Sequence, residues 1–111
     1  MSNQLKKIEQ EKMRDLEQSA ERVSAILKAI GNDKRILLLC KIVEHGEVTA
    51  GSLVGIAGLS QSAMSQHLGK LRDEGVITYR REGQTLWYRL ADPHIKELII
   101  TLHRLYCSTD V

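Results

Sequence analysis

Between Ser60 and Glu74 the chain reads SQSAMSQHLGKLRDE, a run in which hydroxyls, amides and cations recur at helical spacing. At about 3.6 residues per turn, Met64, Leu68 and Leu71 stack on one side, while Ser62, Ser65, Gln66, Gly69 and Asp73 line the other. That second side is short and hydrogen-bonding, with a glycine where a bulky residue would hold a partner away. Such a face suits a groove of duplex DNA. Ser60, Gln61, Ser62, Ser65 and Gln66 can reach base edges and phosphate oxygens, and Lys70 and Arg72, on the flanks, can meet the phosphate walls. A small amphipathic core helix with a Ser- and Gln-rich outer side has the same pattern, so this helix alone leaves both readings open.

The other reactive side chains are few. The chain has two cysteines, Cys40 and Cys107, and four histidines. No nucleophile stands recognisably beside a base and no Gly-rich loop cradles a phosphate, which argues against an enzyme. His67, at the border of the apolar side, reads as a packing residue.

The elements that must position the polar helix decide between its two readings. Ser60 is its expected N-cap and Gly75 its stop. Before it lies VTAGSLVGIAGL, where Thr49 can cap a short helix carrying Leu53, Val54 and Ile56 and Gly58 can make a tight turn, giving a helix-turn-helix. After it, VITYRREGQTLWYRLAD places two β-branched and aromatic runs around Glu82, Gly83 and Gln84: a β-hairpin with Arg80 and Arg81 near its tip as further candidate DNA contacts and Trp87 and Tyr88 anchoring it to the body. The expected fold is mainly α with a small β-hairpin, a winged helix-turn-helix of order α-α-α-α-β-β-α.

Residues 1–12 are polar and mixed in charge and read as a flexible N-terminus; residues 13–108 read as a single DNA-binding and dimerisation domain. From Met13 a helical period brings Leu16, Ala20, Val23, Leu27 and Ile30 to one stripe, ended by Gly31 and Asn32, and Asp33 is placed to cap the next helix. That helix, DKRILLLCKIVEHG, is apolar on several sides through Ile36, Leu37, Leu39, Cys40, Ile42 and Val43 and is the expected buried centre. Lys34 and Arg35 at its start are candidate phosphate contacts or solvated cations. A last helix starts at Pro93 after Asp92, with Ile95, Leu98, Ile99, Leu102, Leu105 and Tyr106 forming a seam. Apolar seams on both terminal helices point to a two-fold homodimer presenting two reading helices to a palindromic site.

Bulk properties set outer bounds. At 111 residues with 42% hydrophobic content the chain suits one small domain that an oligomer would support, and a net charge of +2 with pI near 8.6 permits nucleic-acid binding without requiring it. No apolar run approaches a membrane span and MSNQLKKIEQEK lacks a signal peptide's apolar stretch, so the expected location is cytoplasmic and no membrane is expected as a partner. Cysteines there rest reduced, so any pairing between them would be regulatory.

The runs LKAIGNDKRILLLC and LSQSAMSQHLGKLRDEGVIT, followed by a hairpin ending in LWYRL, resemble the ArsR/SmtB family of bacterial winged-helix repressors over roughly Ala25 to Cys107. The resemblance implies a homodimer that binds a pseudo-palindromic double-stranded DNA operator and is switched by a small inducer, with no resident cofactor. Metal-sensing members place ligands where this chain departs from them. SLVGIAG has no cysteine pair; Asp92 and His94 match the start of a site on the last helix, but His103 comes two residues early and Leu105 and Ser108 replace later ligands. No metal site is assigned, and a metal-responsive repressor remains the alternative. Cys40, Cys107 and the closing RLYC instead resemble the BigR/SqrR/HlyU-like branch, which responds to reactive sulfur or oxidants through a thiol pair. By that resemblance, Cys107 would react first and a buried Cys40 would resolve it, lowering operator affinity; the relatives in that branch also include activators that act by displacing another repressor. A winged helix can also serve as a protein-interaction module, which a flat salt dependence of DNA binding would favour.

Overall fold

The structure, a computed structural model, describes residues 2–107. The elements are α1 (Ser2–Gln18), α2 (Ala20–Ile30), α3 (Asp33–His45), β1 (Val48–Thr49), α4 (Ala50–Leu53), a 3-10 turn (Ile56–Gly58), α5 (Gln61–Asp73), β2 (Ile77–Glu82), β3 (Thr85–Leu90) and α6 (Pro93–Tyr106). This is a winged helix-turn-helix: mostly helical, with a small antiparallel sheet of order β1-β3-β2.

The centre is α3. Leu38, Leu39 and Ile42 are completely buried and share one cluster with Met64, Leu68 and Leu71 of α5, Ile95 and Ile99 of α6, Leu53, Val76 and Ile77. The expected apolar face is turned by one residue: Leu38 is inside, whereas Leu37 is 44% exposed and Cys40 is also exposed. The cap also shifts by one. Asn32 Oδ1 accepts from the backbone N–H groups of Lys34 and Arg35 at 2.9 and 3.3 Å, and Asp33 is already the first helical residue. Asn32 has extended backbone (φ −149°, ψ 132°), which a capping residue needs and a helical residue lacks.

The expected helix from Met13 to Ile30 is α1 and α2 together. It starts earlier, at Ser2, and is interrupted only at Ser19, where Ser19 N–H still donates to Asp15 O at 3.2 Å and Val23 N–H to Ser19 O at 2.9 Å. Side chains 3–12 are all exposed, so the segment expected to be a flexible lead-in is helical without burying anything in this chain. The other end of the expected domain, residue 108, lies outside the described residues.

Thr49 caps α4 as expected, its Oγ1 accepting from Ser52 N–H at 3.1 Å, but α4 is only Ala50–Leu53 and Val54 is 57% exposed. Thr49 and Val48 also form β1, a strand the sequence reading omitted, pairing Val48 with Tyr88 and Thr49 with Trp87. The hairpin is in the expected place, with Glu82 opposite Thr85 and Gly83-Gln84 between.

The passage from α5 into the wing is a Schellman turn. Val76 N–H donates to Leu71 O and Gly75 N–H to Arg72 O, both at 2.9 Å, with Gly75 at φ +75° and both Leu71 and Val76 buried. Only the backbone angle demands glycine there, since an added Cβ would meet nothing within 4 Å. Gly69, inside α5, also has open space around it but no unusual angle. The same substitution should therefore act with opposite sign at the two sites. Gly75→Ala should lower the unfolding free energy by about 1–2 kcal/mol, and Gly69→Ala should raise it by about 0.5–1 kcal/mol, both read from urea denaturation.

Candidate nucleic-acid interface and thiol cleft

On α5 the division expected from spacing is observed. Met64, Leu68 and Leu71 are 2%, 3% and 0% exposed, and Gln61, Ser62, Ser65, Gln66, Lys70 and Arg72 are all exposed. Ser60 caps the helix, its Oγ accepting from Ala63 N–H at 3.1 Å and lying 3.4 Å from Ser62 Oγ. Its hydroxyl is therefore occupied at the helix start, and Ser62, Ser65 and Gln66 carry the outward row.

The flanking cations are not equivalent. Arg72 lies over the Tyr79 ring at 5.3 Å, and Tyr79 leans on Tyr88 with centroids 5.7 Å apart, so the end of α5 is joined to the wing by a cation–π contact on a tilted tyrosine pair. Lys70 is exposed on the last turn of α5. Arg80 is exposed but tied by bonds within the molecule. Its Nε and Nη2 donate to Glu47 at 2.9 and 3.1 Å, its Nη1 donates to Glu82 at 2.8 Å, and its guanidinium covers Trp87 at 5.5 Å. Arg81, one residue on, projects from the opposite face of β2, is exposed, and has no carboxylate partner among the described residues. The two arginines, indistinguishable as neighbours in sequence, thus do different things: one braces the wing and the other stands free at its tip.

Arg35 also turned out differently from either reading of it. Its Nη1 donates to Ala29 O at 2.7 Å and its Nε to His67 Nδ1 at 3.1 Å, so it joins α2, α3 and α5 and is not a solvated cation. Sequence spacing gives no sign of a contact across thirty-two positions.

Cys40 on α3 and Cys107, the C-cap of α6, line one open cleft of about 560 Å³ whose other walls include Ile36, Val43, Ile99 and Tyr106. Both sulfurs are free thiols and both residues are exposed, which corrects the expectation of a buried Cys40. The correction follows from the rotation of α3: Leu38, Leu39 and Ile42 take the core side and Cys40 is left on the cleft side. The apolar walls nevertheless push the Cys40 thiol above its ordinary value by desolvation, and negative charge on Cys107 and then on Glu44 adds to this, with Lys41 opposing. Cys107 N–H closes the end of α6 on His103 O at 2.8 Å.

At the other end of α6, Asp92 caps the helix by accepting from His94 N–H at 2.9 Å and also holds His94 Nδ1 at 2.9 Å. The backbone bond first, and the His94 ring and Arg22 after it, keep the Asp92 carboxyl below its ordinary value. Among the described residues no three His, Cys, Asp or Glu side chains gather as a metal ion would need; Ser108, one of the positions weighed for a ligand, lies outside them. No helix among the described residues is long and apolar enough to cross a membrane.

The Glu47 carboxyl is held below its ordinary value by the hydrogen bond from Arg80, with the charges of Arg80 and Arg89 acting the same way against a smaller desolvation. A depressed carboxylate contributes its bond fully above the ordinary glutamate value of 4.5 and loses it as pH falls through the lower folded value. Trp87 is the only tryptophan, so its emission reports this brace. Acidification should change that emission below pH 4.5, and Glu47→Gln should give the acid-form emission already at neutral pH, with little change in stability because the pair is exposed. An emission unaltered by Glu47→Gln would mean that Glu47 does not hold the brace.

Comparison with known proteins accounts for this arrangement. The family described as "Bacterial regulatory protein, arsR family" matches residues 32–79, from the cap of α3 into β2. The chain is 38% identical over 98 residues to the transcriptional activator HlyU of Vibrio cholerae, covering 88% of this chain and 90% of that protein. It is 42% identical over 92 residues to the HTH-type transcriptional regulator YgaV of Escherichia coli, covering 83% and 93%. Its fold matches the crystal structure of the transcriptional repressor BigR from Xylella fastidiosa with a TM-score of 0.80 at 33% identity, over 87% of this chain and 98% of that one. With α5, the wing and relatives of this extent all in agreement, the chain belongs to the bacterial arsR family of DNA-binding transcriptional regulators, and it is not an enzyme.

Proposed function

We propose that this regulator is a homodimer whose operator affinity is lowered when Cys40 and Cys107 become covalently bridged. The observation that carries the switch is the common cleft: two thiols from helices far apart in sequence line the same apolar cavity between α3 and α6. DNA is read by Ser62, Ser65 and Gln66 on base edges, with Ser60 and Gln61 at the helix start and Lys70, Arg72 and Arg81 on phosphates. The dimer surface is the apolar side of α1 and α2 (Leu16 and Leu27 are 49% and 51% exposed) together with the outer side of α6, where Leu105 and Tyr106 are exposed. Two-fold symmetry then places two α5 helices on successive major grooves of a pseudo-palindromic site.

Cys107 is the attacking group in this scheme, since desolvation by the cleft walls raises the Cys40 thiol above its ordinary value and disfavours the Cys40 thiolate. With an organic trisulfide, the Cys107 thiolate attacks the middle sulfur and expels one organic thiolate. The Cys40 thiolate then attacks the same sulfur and expels the other, leaving a Cys40–S–Cys107 trisulfide bridge. With a peroxide, Cys107 becomes a sulfenic acid as the O–O bond breaks and the alcohol or water leaves, and Cys40 displaces water to give a disulfide. Either bridge ties α3 to α6 and alters the separation or angle of the two reading helices. The relatives named above include both an activator and a repressor; we assign repression, relieved by the bridge.

The test begins by selecting duplexes from a randomised pool with the reduced protein. A selected palindrome, bound by a dimer with affinity falling steeply as salt rises, supports DNA reading through phosphates; failure to select any sequence refutes it. Treatment with an organic trisulfide should add one sulfur and remove two hydrogens in intact mass, link the two cysteine peptides, and weaken binding of the selected duplex by roughly 5–150-fold. Cys40→Ser and Cys107→Ser should each abolish the weakening, and a double Ser variant that still responds would end the thiol-switch reading. Zinc retained by the native protein, with altered DNA binding, would favour metal response instead.

A further inference from the structure

Arg35 is an ion at the meeting point of three helices, and its bonds have directions. Nη1 donates to Ala29 O at 2.7 Å and reaches Lys28 O at 3.5 Å, two carbonyls in the last turn of α2, where the helical ladder runs out and the helix dipole favours a cation. Nε donates to Nδ1 of His67, on α5, at 3.1 Å. Among the described residues no carboxylate shares this guanidinium. An arginine never gives up its proton in a protein, so Nε–H is always the donor and His67 must offer a bare Nδ1, with its own proton on Nε2.

His67 is the residue after Gln66 and two after Ser65 on the helix that faces DNA. The core side of that helix is held by Met64, Leu68 and Leu71, whose burial is strong but non-directional, so apolar packing fixes the distance of α5 from α3 more firmly than its roll. A hydrogen bond at the border of the core side restrains the roll. An arginine fork anchored at its far end on α2 gives the bond a fixed origin.

We propose that Arg35 is a positioning residue for DNA recognition: acting through His67, it sets the roll of α5 against the corner of α2 and α3, and so the register in which Ser65 and Gln66 meet base edges. A shift of α2 reaches the reading helix by the same route. The proposal rests on α5 being the DNA-reading helix and goes beyond it in naming what fixes that helix in angle.

The test uses the full chain and the duplex selected by the unaltered protein, with a scrambled duplex of equal length beside it. His67→Leu and Arg35→Met each remove the bond, whereas His67→Asn keeps an acceptor close to the position of Nδ1. The ratio of selected to scrambled affinity should fall about ten-fold in His67→Leu and in Arg35→Met, the size expected for one charge-assisted hydrogen bond. The doubly substituted protein should be no worse than either single one, since both break the same link. His67→Asn should recover most of the ratio. An unchanged ratio in His67→Leu, an equal loss on both duplexes, or no recovery in His67→Asn would each overturn the proposal. Imidazole nitrogen-15 resonances of the unaltered protein provide a check that does not depend on a variant folding: His67 should show a bare Nδ1 and a protonated Nε2, and a protonated Nδ1 at neutral pH overturns the proposal. Failure of the underlying reading looks different, because then the unaltered protein selects no duplex at all.

Discussion

The burial of Met64, Leu68 and Leu71 against Leu38, Leu39 and Ile42 is the contact on which the rest of this molecule depends. Each such side chain taken fully out of water stabilises the fold by about 1.5–3 kcal/mol, so the stripe determines which side of α5 faces inward. The polar row of Ser62, Ser65 and Gln66 faces solvent because the opposite row is fully committed. The Schellman turn extends that commitment: Leu71 and Val76 are buried together, and the chain leaves α5 directly into β2. Helix, turn and wing are therefore one mechanical piece, and Arg72 over Tyr79 closes it from outside.

What could be read in the sequence was whatever depends on neighbours within one turn or one hairpin. Ser60 and Thr49 cap as expected because an N-cap needs only a hydroxyl and an N–H three residues on. The apolar stripe of α5 has a clean period, and the wing has its glycine at the tip. Periodicity failed on α3 for a physical reason. ILLLCKIV is apolar nearly all round, so no face stands out, and packing from α5 and α6 decides that Leu38 goes in while Leu37 and Cys40 stay out. Asn32 and Asp33 are both good capping residues, and only the extended backbone at Asn32 separates them.

The long-range polar links were illegible for a different reason. Arg35 with His67, and Arg80 with Glu47, join residues thirty-two and thirty-three positions apart through side chains whose types alone point to solvent or phosphate. Both arginines are engaged by bonds within the molecule. Lys70, Arg72 and Arg81 remain exposed around α5 and the wing tip. A strand of two residues, β1, leaves no periodic signal, yet through Val48 and Thr49 it fixes the base of the wing beside Glu47, where the Arg80 brace is attached.

The placement of the two cysteines gives α3 a double role. Its core side carries Leu38, Leu39 and Ile42 against α5, and its other side carries Ile36, Cys40 and Val43 into the cleft shared with α6. A bridge across that cleft would pull on α3 from one side while α5 is packed on the other. Because the core between them is close-packed, with Leu38, Leu39 and Leu71 completely buried, displacement of α3 cannot be absorbed by slack and must be passed on or resisted. Arg35 stands at the N-terminal end of the same helix, bonded to both α2 and α5. A covalent change at Cys40 and the directional bond at Arg35 would thus act on one rigid rod, α3, which is packed and bonded to α5.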